Sequence, residues 1–356
     1  MFSRAMSTLV FIGLAAAATT PCVGTVSSLD DVGAAVKCTT VNINGFTVPA
    51  GEGFTLSLAS GSTVNLNGDI LFGNKSWAGP LFTISGTDIT FNGNGHTFDG
   101  GGPFYWDGLG SNGGTEKPRP MMKIKISGSF ANVNVVNSPA QTFSVSNPGP
   151  LVIDGMNIDN SQGDLPNAQS NGLPAGISCI LFKFAARMTA NVLLQGHNTD
   201  GFDASTTDLT IQNSVVHNQD DCLAINKGSN IVISGNTVVN NDQALRIKMD
   251  ATATGSTVTN ITYSGNTGTG LRLFGVLIDQ SYPDTLKTPG SGVILSDVSF
   301  TGATTQLSVN SGADRVAVNC GAGACTGAWD WSSLEVTGGA AGPLTTASAK
   351  ITGFTQ

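Results

Sequence analysis

Apolar residues recur at every second position through short runs, and asparagine, glycine or aspartate ends each run. Such alternation is the mark of β-strands with one buried face, separated by tight turns. The runs also repeat. Residues 208–226 align without gaps on residues 230–248, an offset of 22, and residues 151–160 and 260–267 carry the same theme. Each unit reads as an alternating strand, an Asn-rich turn and a second short strand. Units of this length cannot bury a face alone and have to stack. A leucine-rich repeat has a similar period, but its leucine ladder and helical half are both missing. The pattern therefore predicts an all-β solenoid, a right-handed parallel β-helix. In that frame residues 22 apart lie one strand spacing, about 4.8 Å, from each other. Ile211, Val215, Leu223 and Ile225 are expected to face the core.

Composition narrows this picture. Only 11% of the 356 residues are charged, whereas glycine alone supplies 46, which suits many turns and disfavours long helices. No polar linker or charge block divides the chain, so residues 19–356 read as one domain. Residues 1–18 read as a secretory signal peptide: Arg4 precedes an apolar run over 8–18 that is too short for a membrane span of about 20 residues. Export makes disulfides possible. Close spacing favours Cys22 with Cys38 and Cys320 with Cys325, and leaves Cys222 without an evident partner. Asn74 and Asn260 head glycosylation sequons, a weak signal that agrees with export. The net charge of −8 argues against nucleic acid. It would also repel an acidic polymer, a conflict eased in mildly acidic medium and by cations local to the cleft.

Three acidic positions converge in the coil frame. Asp200 precedes Asp220 by 20 residues, close to one coil, so it is expected beside the Asp220, Asp221 pair on the adjacent rung. Glycoside hydrolysis needs this grouping, one carboxyl to protonate the leaving oxygen and another to activate water. Asp220 is the candidate acid, with Asp200 and Asp221 as the water-activating pair. Taken alone, an Asp-Asp pair in a turn more often satisfies backbone groups, meets solvent or binds calcium. Arg246 and Lys248, two residues apart, share one strand face and suit a sugar carboxylate. Two cations on a surface strand can also serve solubility alone, but the chain has only 16 lysines and arginines.

The ordered motifs Asn198-Thr199-Asp200, Gln219-Asp220-Asp221 and Arg246-Ile247-Lys248 resemble those of the polygalacturonase family of glycoside hydrolases, its fungal members above all. Residues 95–100, 105–108, 117–118, 137–139 and 201–203 extend the resemblance over nearly all of the chain after residue 18. It implies endo-acting, inverting hydrolysis of α-1,4-galacturonosyl bonds by a secreted enzyme. It also implies that no metal or cofactor takes part and that Asn198, Arg246, Lys248 and Tyr282 contact substrate. The expected partner is polygalacturonate or pectin, with no nucleic acid, no membrane once the signal is removed, and a monomeric state.

Two departures stand out. The family carries Gly-His-Gly one coil after the aspartate pair, but the slots 22 beyond Asp220 and Asp221 hold Asp242 and Gln243. None of the chain's three histidines, His96, His197 and His217, falls there. One whole coil, roughly 25 to 30 residues, is therefore expected to be lost around 234–238, together with the half-cystine that would pair Cys222. The apolar segment 177–196 reads as an insertion from a translated intron; an amphipathic loop helix over the cleft is the other reading. The missing histidine leaves a catalytically impaired pectin-binding solenoid as the alternative function. A pectate lyase would need a calcium site and an arginine base, which the ordered motifs do not supply. Exo action and a rhamnogalacturonan substrate remain open at this point.

Overall fold

A computed structural model describes residues 22–165 and 196–356. The expected signal segment, 1–18, and all but the last residue of the expected insertion, 177–196, lie outside the described residues. What is described is mostly β, with single α-helical turns at Val32–Ala35 and Gly102–Tyr105. No helix among the described residues is long and apolar enough to cross a membrane.

The strands stack in parallel, rung upon rung. One ladder pairs Phe82 with Met122, Phe143, Phe202, Leu223, Leu245, Val276 and Val316 in succession. All eight side chains are buried, and the Phe143 and Phe202 rings stack with centroids 5.0 Å apart. A second ladder runs through Phe91, Phe130, Ile153, Ile211, Ile233, Tyr263 and Phe300. A third runs through Phe98, Val135, Ile158, Val216, Val238 and Gly268. Each fully buried large side chain contributes roughly 1.5–3 kcal/mol relative to exposure, so the interior rows hold one rung on the next. The 22-residue offset is realised: Thr210 pairs Val232 and Leu223 pairs Leu245.

The asparagines do what a turn of this kind needs. Asp208, Asn230, Asn260 and Asp297 take positive φ between 55° and 56° at one corner of successive coils, a conformation that short polar side chains tolerate better than others. Stacking lets them bond vertically: Asn230 Nδ2 donates to Asp208 Oδ1 at 2.8 Å, and Asn260 Nδ2 to Asn230 Oδ1 at 2.9 Å. The sequon asparagine Asn260 thus has a structural occupation.

One inward expectation fails. Val215 is 42% exposed, and Val216 faces the core instead. The positive φ of Asn213 turns the chain between Ile211 and Val215, so the two-residue count carried across that corner changes face. Cysteine pairing is as expected, with Cys22–Cys38 and Cys320–Cys325 bridged and Cys222 free and buried.

Candidate active site

On the side of the first ladder opposite the core row, Lys123, Ser144, Asp203, Ala224, Arg246 and Leu277 occupy successive rungs. The acidic turns enter this row from its N-terminal end. Gly201 N donates to the Asp221 carbonyl at 2.8 Å, which sets Asp200 against the aspartate pair one rung away. One oxygen each of Asp200, Asp220 and Asp221 lies within 4.8 Å of the others. The expected convergence is therefore present.

The turn bearing the pair is held by its neighbours. Asn218 Oδ1 accepts from Asp220 N at 2.9 Å, and its Nδ2 donates to the Asp221 carbonyl at 2.8 Å. Gln219 N donates to Thr199 Oγ1 at 2.8 Å, and Thr199 Oγ1 donates to Gln219 Oε1 at 3.0 Å. Asn198 Nδ2 donates to Asp220 Oδ2 at 3.0 Å, while its Oδ1 accepts from Ser111 N and Oγ and from Asn112 Nδ2. Arg272 braces the same turn from outside, donating to the Asn218 carbonyl at 3.0 Å and to Asp164 Oδ1 at 2.6 Å.

The cations stand on the aspartates. Arg246 Nη1 lies 3.3 and 3.1 Å from the two oxygens of Asp221. Lys248 Nζ bridges Asp221 Oδ2 at 3.1 Å and Asp200 Oδ2 at 3.2 Å, and reaches Asp203 Oδ1 at 3.8 Å. Its ammonium also lies 5.3 Å from the centre of the Tyr282 ring, which is 39% exposed. The three carboxyls are close enough to share a cation, and Lys248 supplies one between Asp200 and Asp221. Asp200 Oδ1 and Arg246 Nε are buried and have no hydrogen-bond partner among the described residues.

Burial, followed by the charges of Asp200 and Asp221, pushes the Asp220 carboxyl well above the usual range. Burial and then the charge of Asp200 do the same to Asp203. Asp200 is raised by burial, with the Lys248 ammonium opposing. Burial works against the charge of Lys248, but Asp200, Asp221 and Asp203 outweigh it and hold the amine protonated. Buried side by side, these groups have affinities set by one another.

Every site residue expected from the sequence is in this cluster or borders it. Asp203 is not among them, although it lies in the resembling stretch 201–203 and alternates with Phe202 along its strand. Arg272, Asp164 and His217 carried no signal in the sequence. His217 Nε2 contacts Asp164 Oδ2 at 2.7 Å, and Arg272 links Asp164 to Asp242, contacts that span 53, 108 and 30 residues. Only stacking brings them together.

The strand after the aspartate pair stacks directly on it. Asp221 pairs Gln243, and Asp242 N donates to the Asp220 carbonyl at 3.1 Å, so the strand of Arg246 lies directly on that of the aspartate pair. The chain matches the glycosyl hydrolases family 28 pattern over residues 38–240 and again over 229–355. The chain belongs to this family. The two matched stretches share residues 229–240.

Among relatives, endopolygalacturonase I of Aspergillus aculeatus is 34% identical over 336 residues, covering 85% of this chain and 80% of that one. A polygalacturonase of Cochliobolus carbonum is 36% identical over 349 residues and 87% of each. Among solved structures, endopolygalacturonase I from Stereum purpureum, complexed with two galacturonate, is similar at a TM-score of 0.77. It is 44% identical and covers 92% of this chain and 98% of its own.

Proposed function

We propose that this family 28 glycoside hydrolase is a secreted, monomeric endo-polygalacturonase that hydrolyses α-1,4-galacturonosyl bonds of pectin. In this reading residues 1–18 are removed on export and 19–356 form one right-handed parallel β-helix. The names endopolygalacturonase and polygalacturonase on relatives that align with most of the chain support the activity. The observation that carries the chemistry is the meeting of three carboxyls from two adjacent rungs within 4.8 Å.

Asp220, kept protonated by burial and by like charges, donates its proton to the glycosidic oxygen as the bond to the anomeric carbon breaks. Asp200 and Asp221 serve as the carboxylate pair that activates the attacking water. As the water oxygen bonds to the anomeric carbon its proton passes to that carboxylate pair. Each group contributes on the scale of about 10²–10⁴ in rate. Asp221 is an unfavourable covalent nucleophile because Arg246 and Lys248 both draw on its charge, which favours direct displacement by water and inversion. Asn198, Arg246, Lys248 and Tyr282 border the three carboxyls and are the proposed contacts for the uronate ring and its carboxylate.

The test is reducing-end release from polygalacturonate, with product sizes followed from the first minutes and the anomer read by proton NMR. A ladder of oligomers with the β-anomer formed first supports the reading. Monomer alone at early times would make the action exo, and binding without release would end the hydrolase reading for this chain.

A further inference from the structure

Four carboxyls and two fixed cations share one poorly solvated cluster. Asp221, Asp200 and Asp220 are 0%, 2% and 9% exposed, Arg246 is 7% exposed, and the side chains of Lys248 and Asp203 are 11% and 21% exposed. An uncompensated charge in such a place is strongly disfavoured. The cluster is neutral when two of its four carboxyls are ionised and two hold protons.

Geometry decides which two. Arg246 and Lys248 both contact Asp221, and Lys248 contacts Asp200 at 3.2 Å but Asp203 only at 3.8 Å. No ion pair among the described residues reaches Asp220, whose oxygens accept from Asn198 Nδ2 and Asp221 N, both neutral donors. We propose that Lys248, with Arg246, is a positioning residue for charge: it selects Asp221 and Asp200 as the ionised pair and so leaves the acid's proton on Asp220. Asp203 holds the second proton.

The surrounding groups agree with this assignment. Asp242, on the next rung, adds negative charge near Asp220, and Arg272 partly offsets it through its own contacts with Asp242 and Asp164. Burial raises the Asp242 carboxyl, and Arg272, with His197 behind it, opposes that rise. Tyr282 faces the Lys248 ammonium with its ring, and Asp279 is engaged by Ser281, Leu286 and Asn319 rather than by Lys248. The upward displacement of Asp220 and Asp203 follows from burial first and the charge of Asp200 second.

This inference rests on the proposed assignment of acid and base pair, but it can be tested apart from turnover. Aspartate carboxyl carbons, labelled with carbon-13, are titrated by NMR in the free full-length protein. Alongside it, kcat/KM on polygalacturonate is followed against pH for the wild type, Lys248→Gln and Lys248→Arg. The expected wild type keeps two site carboxyls protonated at about pH 5.5, where ordinary aspartates are ionised, and Asp220→Asn removes one of those signals. Lys248→Gln should retain a third proton at that pH and move the acidic limb of the rate profile up by about 1–3 pH units. Lys248→Arg should restore both.

An unchanged proton count in Lys248→Gln, with only KM altered, would overturn the proposal and leave Lys248 as a substrate clamp alone. Should Lys248→Gln fail to fold, the wild-type count decides: fewer than two protons, or a signal for Asp220 absent from the protonated set, refutes it. A wild type that holds both protons yet releases no reducing ends retains the charge assignment and defeats only the hydrolase reading.

Discussion

The contact between Arg246 and Asp221 reports how closely their two strands stack. Arg246→Met keeps most of the side-chain volume and removes the guanidinium. In the structure the charges stand about 3.2 Å apart (contacts of 3.1 and 3.3 Å) with the Arg246 side chain 8% exposed and Asp221 fully buried. At an effective dielectric constant of about 20 that separation corresponds to an attraction of about 5 kcal/mol. Lys248 remains on Asp221 after the substitution and compensates part of the loss. The expected cost is therefore about 2–4 kcal/mol, near the lower end of the range for breaking a buried pair. Were a rung to lie between the two strands, the charges would be about 9.6 Å apart and the same arithmetic would give about 1.7 kcal/mol before screening.

The assay is a double-mutant cycle by urea unfolding, with Arg246→Met, Asp221→Asn and the pair. Adjacent rungs require the double variant to be more stable than the sum of the single losses by about 1.5 kcal/mol or more. Additivity to within about 0.5 kcal/mol would refute the direct stacking of these two strands and the lost coil with it.

Asp220→Asn should lower kcat on polygalacturonate by about 10²–10⁴-fold, as read by reducing-end release, with the far-ultraviolet circular dichroism unchanged. Hydrolysis should be greatest in mildly acidic medium, because raising the pH strips the elevated Asp220 proton and lowering it protonates Asp200; a maximum on the alkaline side would contradict the roles assigned. The same elevated carboxyls link stability to pH. Since the folded-state affinities of Asp220 and Asp203 exceed the unfolded ones, their contribution is fully present below the ordinary aspartate value of about 3.9 and is lost as pH rises through the raised values. Urea midpoints that fall with pH in the wild type and fall less in Asp220→Asn would bear this out. Phe202→Ala, which empties a fully packed place between rungs, should cost about 3–5 kcal/mol by the same unfolding measurement. Removing the Cys22–Cys38 bridge, which closes 16 residues, should cost about 3 kcal/mol, and a thermal midpoint unmoved by Cys22→Ala with Cys38→Ala would show that the N-terminal coil is held by packing alone.

What the sequence determined by itself is whatever depends on local periodicity. Alternation and the 22-residue repeat specify strands, their stacking and the inward faces of Ile211, Leu223 and Ile225, because side-chain direction alternates along an extended strand. The repeat also brought Asp200, Asp220 and Asp221 together and left no histidine in the slot one coil on. It misjudged Val215, because a left-handed corner at Asn213 changes which face the count reaches. Only the tertiary structure decided that Arg246 and Lys248 rest on the aspartates. Strand order says which side chains share a row, but not which charges an enclosed space forces into contact. The bracing of the Asn218 turn by Arg272 and Asp164, over separations of 54 and 108 residues, has no local signature, because it depends on how many residues each coil spends in its loops before returning to the ladder.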